Sequence, residues 1–347
     1  MKPFALLITD THHDKNNIVE VNEIIDQAIE VAKAKGITRI FHLGDVFTSR
    51  IGQGMMVLLA QRKWIRKCEE AGIALYPIPG NHDKTDQDVP ESYLDVFDGL
   101  TSNFHLYREE TAVKFKDDVF CCFLPYFLEG GSYPLRLANL ASKARKSGCK
   151  VRLLFTHIAV DGVRNNDGSL VENALGPNMF KEFTSVFVGH YHNRSQVGDN
   201  IFYIGSPRPK DFGEDNEKGF TILYPDGSHQ LHLAKFKKFV KVKVDLSEEN
   251  VDLDALVKKH GNSEHNVRFV ITGTEEDLSL VKTQDLAKVG IDVKKEPERM
   301  AKSMQAAENS EVVQFNKGTI LKGFMEYCKA NAISGPRLKL GLKYINS

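Results

Sequence analysis

Phe4-Ala5-Leu6-Leu7-Ile8-Thr9-Asp10-Thr11-His12 is an apolar run that ends in two side chains able to bind a metal ion. The layout recurs downstream: Asp45 follows residues 40–44, Asn81-His82 follows Ile78-Pro79-Gly80, His157 follows 151–156, and His190 follows 186–189. In an open α/β sheet, ligands bind in the crevice beyond the carboxyl ends of the strands, so residues placed just past several strands converge although far apart in the chain. The repeated layout describes a metal cage along one sheet edge, and hence a metalloenzyme.

Outward from this first strand the spacing predicts a βαβαβ unit, with strands at 4–8, 39–43 and 74–78 and helices at 19–35 and about 55–71. Gly36 and Gly72 stand just past those helices, where a left-handed cap residue is expected. Farther on, strands are expected near 119–124, 152–155, 186–188, 201–204, 220–224 and 230–233, a helix within 135–146, and a turn at Pro225-Asp226-Gly227. This second half reads as antiparallel. The whole is an α/β fold, a four-layer α/β/β/α sandwich over residues 1–235.

After residue 235 the character changes. Lys235, Lys237, Lys238, Lys241 and Lys243 stud an alternating segment, and a helix at 252–259 and strands at 267–272 and 291–295 follow with no candidate metal cage. Residues 236–298 read as a small α+β domain, and 299–347 as a linker, polar through 312, and a helical tail. In the tail Ile320, Leu321, Phe324, Met325 and Cys328 fall at helical spacing, and residues 336–340 alternate basic with apolar.

Composition bounds the function without supplying it. Forty-six basic residues balance 46 acidic ones, so no global charge drives the chain toward nucleic acid or a membrane, and any grip on DNA must be local or come from a partner. The five cysteines, Cys68, Cys121, Cys122, Cys149 and Cys328, form no Cys-x-x-Cys pair and read as reduced structural thiols, with neighbouring Cys121 and Cys122 facing opposite sides of a strand. Residues 1–3 run directly into a strand without a signal-peptide layout, and no apolar stretch approaches a membrane span, so a cytoplasmic protein is expected.

The candidate ligands are chemically mixed. Asp10 and His12 can reach one ion if the backbone turns; Asp45 offers two oxygens able to bridge two cations; Asn81 adds an amide oxygen, and His157, His190 and His192 add imidazoles. Such an oxygen and nitrogen set suits manganese, iron, zinc or magnesium, and its lack of cysteine disfavours a structural zinc site. Seven ligands divide over two metals. Singly, each fragment has an ordinary reading as a turn or a core histidine; their order and setting after successive strands carry the argument.

Asp10-Thr11-His12, Gly44-Asp45, Gly80-Asn81-His82-Asp83, His157 and Gly189-His190-Tyr191-His192 resemble the motifs of the calcineurin-like metallophosphoesterase superfamily over roughly residues 1–235. Gly44-Asp45-Val46-Phe47, residues 203–207, and Phe212-Gly213-Glu214 followed by Lys218-Gly219-Phe220 are most similar to its SbcD-type DNA-repair exonucleases, in a compact, phage-like form. The resemblance implies Asp10, His12 and His192 on one metal, Asn81, His157 and His190 on the other, and Asp45 between them. It makes His82 catalytic, either protonating the leaving sugar oxygen or stabilising the crowded phosphorane-like transition state, with Asp83 holding its ring and tautomer. It further implies manganese, with magnesium the other candidate, and a 3′–5′ exonuclease on double-stranded DNA ends that is also an endonuclease on single strands. Such enzymes work with an SbcC-type ABC ATPase in repair and recombination, in the host cytoplasm if the protein is viral. The alternative is a metallophosphatase or small-substrate phosphodiesterase of the same superfamily.

The small domain and tail correspond in position to that family's DNA-recognising capping domain and ATPase-docking segment. One departure stands out: the family commonly has an acidic residue soon after Gly-Asp-x-Phe, where this chain has Thr48-Ser49-Arg50. His13 beside His12 also makes the register of the first motif ambiguous, and spacing selects His12. Arg50, Arg164, Arg194, Arg208 and Lys210 fall in loops expected near the metal edge, where they could meet DNA phosphates. The run from Met55 to Leu59, with Trp64-Ile65, is apolar on more than one helix face, which fits either core packing or the homodimer contact the resemblance implies.

Overall fold

The computed structural model describes residues 1–115, 118–165, 168–172, 174–248 and 251–297, and in the tail 324, 325, 327–329, 338 and 342. The chain divides into two units, Met1–Val240 with Ser263–Asn266, and Lys241–Asn262 with Val267–Ser347. The first begins with β1 (Ala5–Ile8), α1 (Ile18–Ala34), β2 (Arg39–His42), α2 (Met55–Glu70) and β3 (Ala74–Pro77). It continues through β4 (Thr111–Lys114), β5 (Val119–Leu124), α3 (Tyr133–Lys146), β6 (Val151–His157), β7 (Ser185–Gly189), β8 (Ser195–Val197), β9 (Ile201–Tyr203), β10 (Gly219–Leu223) and β11 (His229–Leu233). Two sheets result, ordered β11-β10-β1-β2-β3 and β4-β5-β6-β7-β9-β8.

Side-chain alternation explains the layers. Leu6, Ile8 and Ile40 turn to one core shared with Val21, Ile25 and Ala28 of α1 and Trp64 of α2. Ala5, Leu7 and Phe41, their strand neighbours, turn the other way to meet Cys121, Phe123, Leu153 and Phe155 of the second sheet. On the far side of that sheet, Cys122, Leu124 and Leu154 pack on Tyr133, Leu137 and Leu140 of α3. The order is therefore helix, sheet, sheet, helix, the expected four-layer sandwich. Cys121 and Cys122 do lie in different cores, and the five cysteines are free and buried. The inter-sheet core is aromatic, with the Phe41 ring 5.2 Å from Phe123 and 4.8 Å from Phe155.

The antiparallel reading of the second half needs correction. β5, β6, β7 and β9 run parallel, while β4, β8 and the β10–β11 hairpin are antiparallel additions at sheet edges. Parallel neighbours need a long crossover connection. Here α3 links β5 to β6 and residues 158–184 link β6 to β7. Among its described residues the 158–184 connection holds one short 3-10 turn, Pro177–Phe180, so the length of the connection and not its pattern marks the crossover. β4 and the three-residue β8 were not expected at all.

The second unit carries a sheet ordered β12-β13-β14, made of β12 (Phe239–Asp245), β13 (Asn266–Gly273) and β14 (Ile291–Pro297), of which β13 and β14 are parallel. α4 (Leu253–His260), α5 (Glu275–Leu280) and α6 (Thr283–Lys288) complete an α+β unit. The two short helices were missed, being only six residues each. The expected linker through 312, together with Ile320 and Leu321, lies outside the described residues. Phe324, Met325 and Cys328 are described and helical. No helix among the described residues is long and apolar enough to cross a membrane.

Candidate metal centre

β1, β2 and β3 lie side by side and parallel in one sheet, as do β6 and β7 in the other. Asp10, Asp45 and Asn81 follow the first three strands, and His157 ends β6 just as His190 follows β7. The carboxyl ends of both sheets thus supply one cluster. The loops after β1 and β2 are joined by Asp10 N–H donating to Gly44 O (3.0 Å) and His12 N–H to Asp45 O (3.1 Å). This pairing resolves the register of the first motif. His12 turns into the cluster, while His13 turns outward to Gln61 of α2, Nδ1 to Oε1 3.3 Å.

Six non-glycine residues have positive φ among those described, and four are here: Asp10 (51°), His12 (49°), Asp45 (55°) and His190 (94°). Each such conformation costs on the order of 1–3 kcal/mol and persists where surroundings hold it for a purpose. Glycine permits the close approach. A side chain at Gly44 would strike the His157 ring and Gly80, and one at Gly189 would strike Thr9, Leu43 O and His157.

Two sets of donors form. In one, His12 Nε2 lies 3.1 Å from His192 Nε2 and 3.7 Å from Asp10 Oδ1, and His192 Nε2 is 3.8 Å from the same oxygen. In the other, Asn81 Oδ1 is 3.1 Å from His157 Nε2 and 3.2 Å from His190 Nδ1, which are 3.3 Å apart. Asp45 stands between, Oδ2 3.7 Å from His12 Nε2 and Oδ1 3.4 Å from His157 Nε2. Ligand atoms ~2.1 Å from a shared ion and roughly 90–110° apart lie about 3.0–3.4 Å from one another.

The chemistry also fits a cation. His157 Nδ1–H donates to Leu43 O at 2.7 Å, so in the neutral ring Nε2 holds a lone pair, and it faces two acceptors, Asn81 Oδ1 and Asp45 Oδ1. Lone pairs so placed require a proton or a metal ion between them. Burial alone would lower the His157 pKa, but Asp45 and Asp10 outweigh it and raise it to about 9. Burial tends to raise Asp10 and Asp45 as well, and the surrounding imidazoles instead hold both far below the carboxylate range. His190, buried and beside His157, is pushed down to about 4. Asp10 Oδ1 is buried with no hydrogen-bond partner.

A layer behind the cluster orients it. His192 Nδ1 lies 2.7 Å from Glu214 Oε1; Glu214 Oε2 accepts from Lys218 Nζ (3.0 Å) and lies 3.3 Å from Ser206 Oγ. Burial would raise Glu214, yet His192 and Lys218 draw it down to about 2. Such carboxylate–histidine pairs fix the ring and raise its basicity toward a metal. In the sequence Glu214 and Lys218 belong only to family-like segments, and their four-residue spacing carries no sign of this role.

His82 sits on the open rim. Its N–H donates to Asp45 Oδ1 (2.8 Å), its Nδ1–H to Thr48 O (2.5 Å), and its Nε2 lies 4.0 Å from Asp45 Oδ2. Asp83 does not hold that ring, contrary to expectation. Its carboxylate accepts backbone N–H groups from Gly80 (2.8 Å), Phe47 (3.0 Å) and Val46 (3.2 Å), pinning the loop after β2 to the one after β3. The short helical turn of residues 81–83 points Asp83 inward while His82 faces out.

The five basic residues do not gather in one place. Arg50 stands at the rim, Nη2 3.2 Å from His82 Nε2, and its carbonyl accepts from Tyr93 OH (2.9 Å). Lys210 is half-buried, and its charge interacts with Asp10, Glu214 and Asp45. Arg208 is buried, 3.8 Å from Glu20. Arg194 is committed to Ile204 O and Thr221 Oγ1, and Arg164 to Gly168 O within its own loop, so these two serve the fold.

Acidic and imidazole side chains gathered at the strand ends of both sheets define a candidate site for divalent metal ions. Residues 5–226 match the calcineurin-like phosphoesterase family, and the chain belongs to it. Metallophosphoesterases of this family use divalent metals, and the Asp and His groups gathered here could hold such ions. The chain is 29% identical over 202 residues to exonuclease subunit 1 of Enterobacteria phage T4, which covers 57% of this chain and 56% of that protein, so the match spans little more than half of the relative. Similar solved structures include a dimetal phosphatase from Danio rerio (TM-score 0.46, 12% identity, 65% of this chain and 94% of that one). Two more are the phosphoesterase YfkN from Bacillus subtilis (0.39, 11%, 65% and 90%) and the nuclease MPE from Pseudomonas putida (0.28, 14%, 57% and 66%).

Proposed function

We propose that the chain is a two-metal DNA nuclease of the SbcD type, a 3′–5′ exonuclease on double-stranded ends and an endonuclease on single strands. The observation that carries the two-metal reading is Asp45, whose two oxygens face two separate sets of donors, 3.4 Å from His157 and 3.7 Å from His12. Asp10, His12 and His192 would hold one ion, Asn81, His157 and His190 the other, with Asp45 shared. Bound divalent ions, manganese in this reading with magnesium the other candidate, supply Lewis-acid charge at the phosphate and acidify water.

The remaining work falls to side chains. With Nδ1–H held by Thr48 O, His82 takes up and releases protons at Nε2, which faces the opening and can protonate the leaving sugar oxygen. Arg50, beside that atom, brings a positive charge to a phosphate oxygen. Asp83 acts at one remove by fixing the loops that carry Asp45 and His82. The similarity to a phage exonuclease supports DNA as substrate. In this reading the second unit caps and recognises DNA, residues 299–347 dock an SbcC-type ATPase, and exposed Met55, Met56 and Leu59 of α2 form a homodimer contact.

The test is manganese-dependent degradation of end-labelled linear duplex DNA, beside His82→Ala, with and without a candidate ATPase. Wild type should release label only with the metal, His82→Ala should lose ~10²-fold or more in rate, and ATP with the partner should stimulate. Turnover of p-nitrophenyl phosphate with DNA left intact would move the assignment to the phosphatase alternative.

A further inference from the structure

A second cationic site lies within the first unit, outside the metal cluster. A cleft of about 270 Å³ is lined by Arg208, Lys210, Lys235 and Lys237 together with Glu20 and Glu23, so its lining carries two more positive charges than negative ones, with Asp10, Glu214 and Asp45 of the metal centre acting on Lys210 from outside it. Arg208 is only 9% exposed, and its buried Nε has no hydrogen-bond partner. Among the described residues the ammonium groups of Lys210, Lys235 and Lys237 make no ion pair. A buried guanidinium with a spare donor, ringed by unpaired lysines, is suited to an anion.

The cleft is tied to the metal centre by short bonds. Asn17, on its wall, donates from Nδ2 to the His12 carbonyl at 2.8 Å. The Arg208 carbonyl accepts from Ser206 Oγ at 2.9 Å, and the same hydroxyl reaches Glu214, which orients His192. These contacts put the cleft on the His12–His192 side of the cluster, whereas His82 and Arg50 stand on the Asp45 rim.

We propose that this cleft is a phosphate subsite, holding a backbone phosphate of the DNA strand away from the bond being cut. The inference rests on DNA being the substrate. A substrate with a single phosphate cannot fill both places, whereas a polynucleotide can, and the second grip sets its register across the metals.

The test compares wild type, Lys235→Gln/Lys237→Gln, two exposed positions that leave the core untouched, and Arg208→Gln. Binding of a fluorescein-labelled single-stranded oligonucleotide is followed by anisotropy in EDTA over a range of salt. Loss of two lysine contacts should reduce the slope of log K against log salt by about 1.4. With manganese, kcat/KM on the oligonucleotide, normalised to bis(p-nitrophenyl) phosphate for each variant, should fall ~10-fold, mainly through KM. Wild type that cuts the oligonucleotide while the double variant keeps the same slope and ratio would overturn the subsite alone. Wild type that turns over bis(p-nitrophenyl) phosphate but neither binds nor cuts the oligonucleotide would overturn the DNA reading, and the subsite with it.

Discussion

Glu214 meets His192 Nδ1 at 2.7 Å and Lys218 Nζ at 3.0 Å, both inside the fold, so one carboxylate aims an imidazole and neutralises a buried ammonium. Glu214→Gln keeps the shape and removes the charge. Divalent-metal affinity should drop 10–100-fold, on the order of such losses when a ligand's orienting partner is removed, and competition with a chromophoric chelator would measure it. Unchanged affinity would mean that His192 needs no such support. The ligand types were legible in the sequence because each follows an apolar strand. The roles of Glu214 and Asp83 were not, since a hydrogen bond between loops leaves no periodic trace. Asp83 shows this most clearly: next to His82 in the chain, it is turned away from that ring by a single helical turn and bonds to Val46 and Phe47 instead.

At the scale of elements, strand and helix periodicity made the first three strands and the two helices between them readable, and a candidate metal-binding side chain follows each strand end. Where strands have few alternations, as in three-residue β8, or where a long connection makes the crossover, local pattern does not reveal the pairing. Two histidines where β1 and β2 meet α2 carry a pH dependence. An unfolded histidine titrates near pH 6.5, whereas burial pushes His13 down to about 4 and His42, packed on Trp64, to about 3. Between these values the unfolded chain takes up protons that the folded chain refuses. Their contribution to stability is therefore fully present above about pH 6.5 and is lost by several kcal/mol, in order of magnitude, as pH falls toward 4. Urea unfolding of metal-free protein across this range should show that loss, with a shallower dependence in His13→Gln. An unaltered dependence in the variant would place the acid sensitivity in other groups.

For the whole molecule, an ion held as proposed would cross-link two sheets, because Asp10, Asp45 and Asn81 come from one and His157 and His190 from the other. Manganese at 100-fold over its Kd should stabilise by about 2.7 kcal/mol per site and raise Tm by several degrees. Calorimetry with manganese and with EDTA would measure the shift, and Asp45→Asn should abolish most of it; an equal shift in that variant would show that the ions bind elsewhere. By itself the sequence determined the layered α/β class, the family and the identity of the clustered side chains, because strand periodicity and strand-end chemistry are local and survive without neighbours. Tertiary structure alone decided which strands run parallel, which of two adjacent histidines enters the cluster, that Arg194 serves the fold while Arg208 lines a cleft, and that Glu214 stands behind His192. Each of these depends on contacts between segments far apart in the chain, and no local pattern encodes such a meeting.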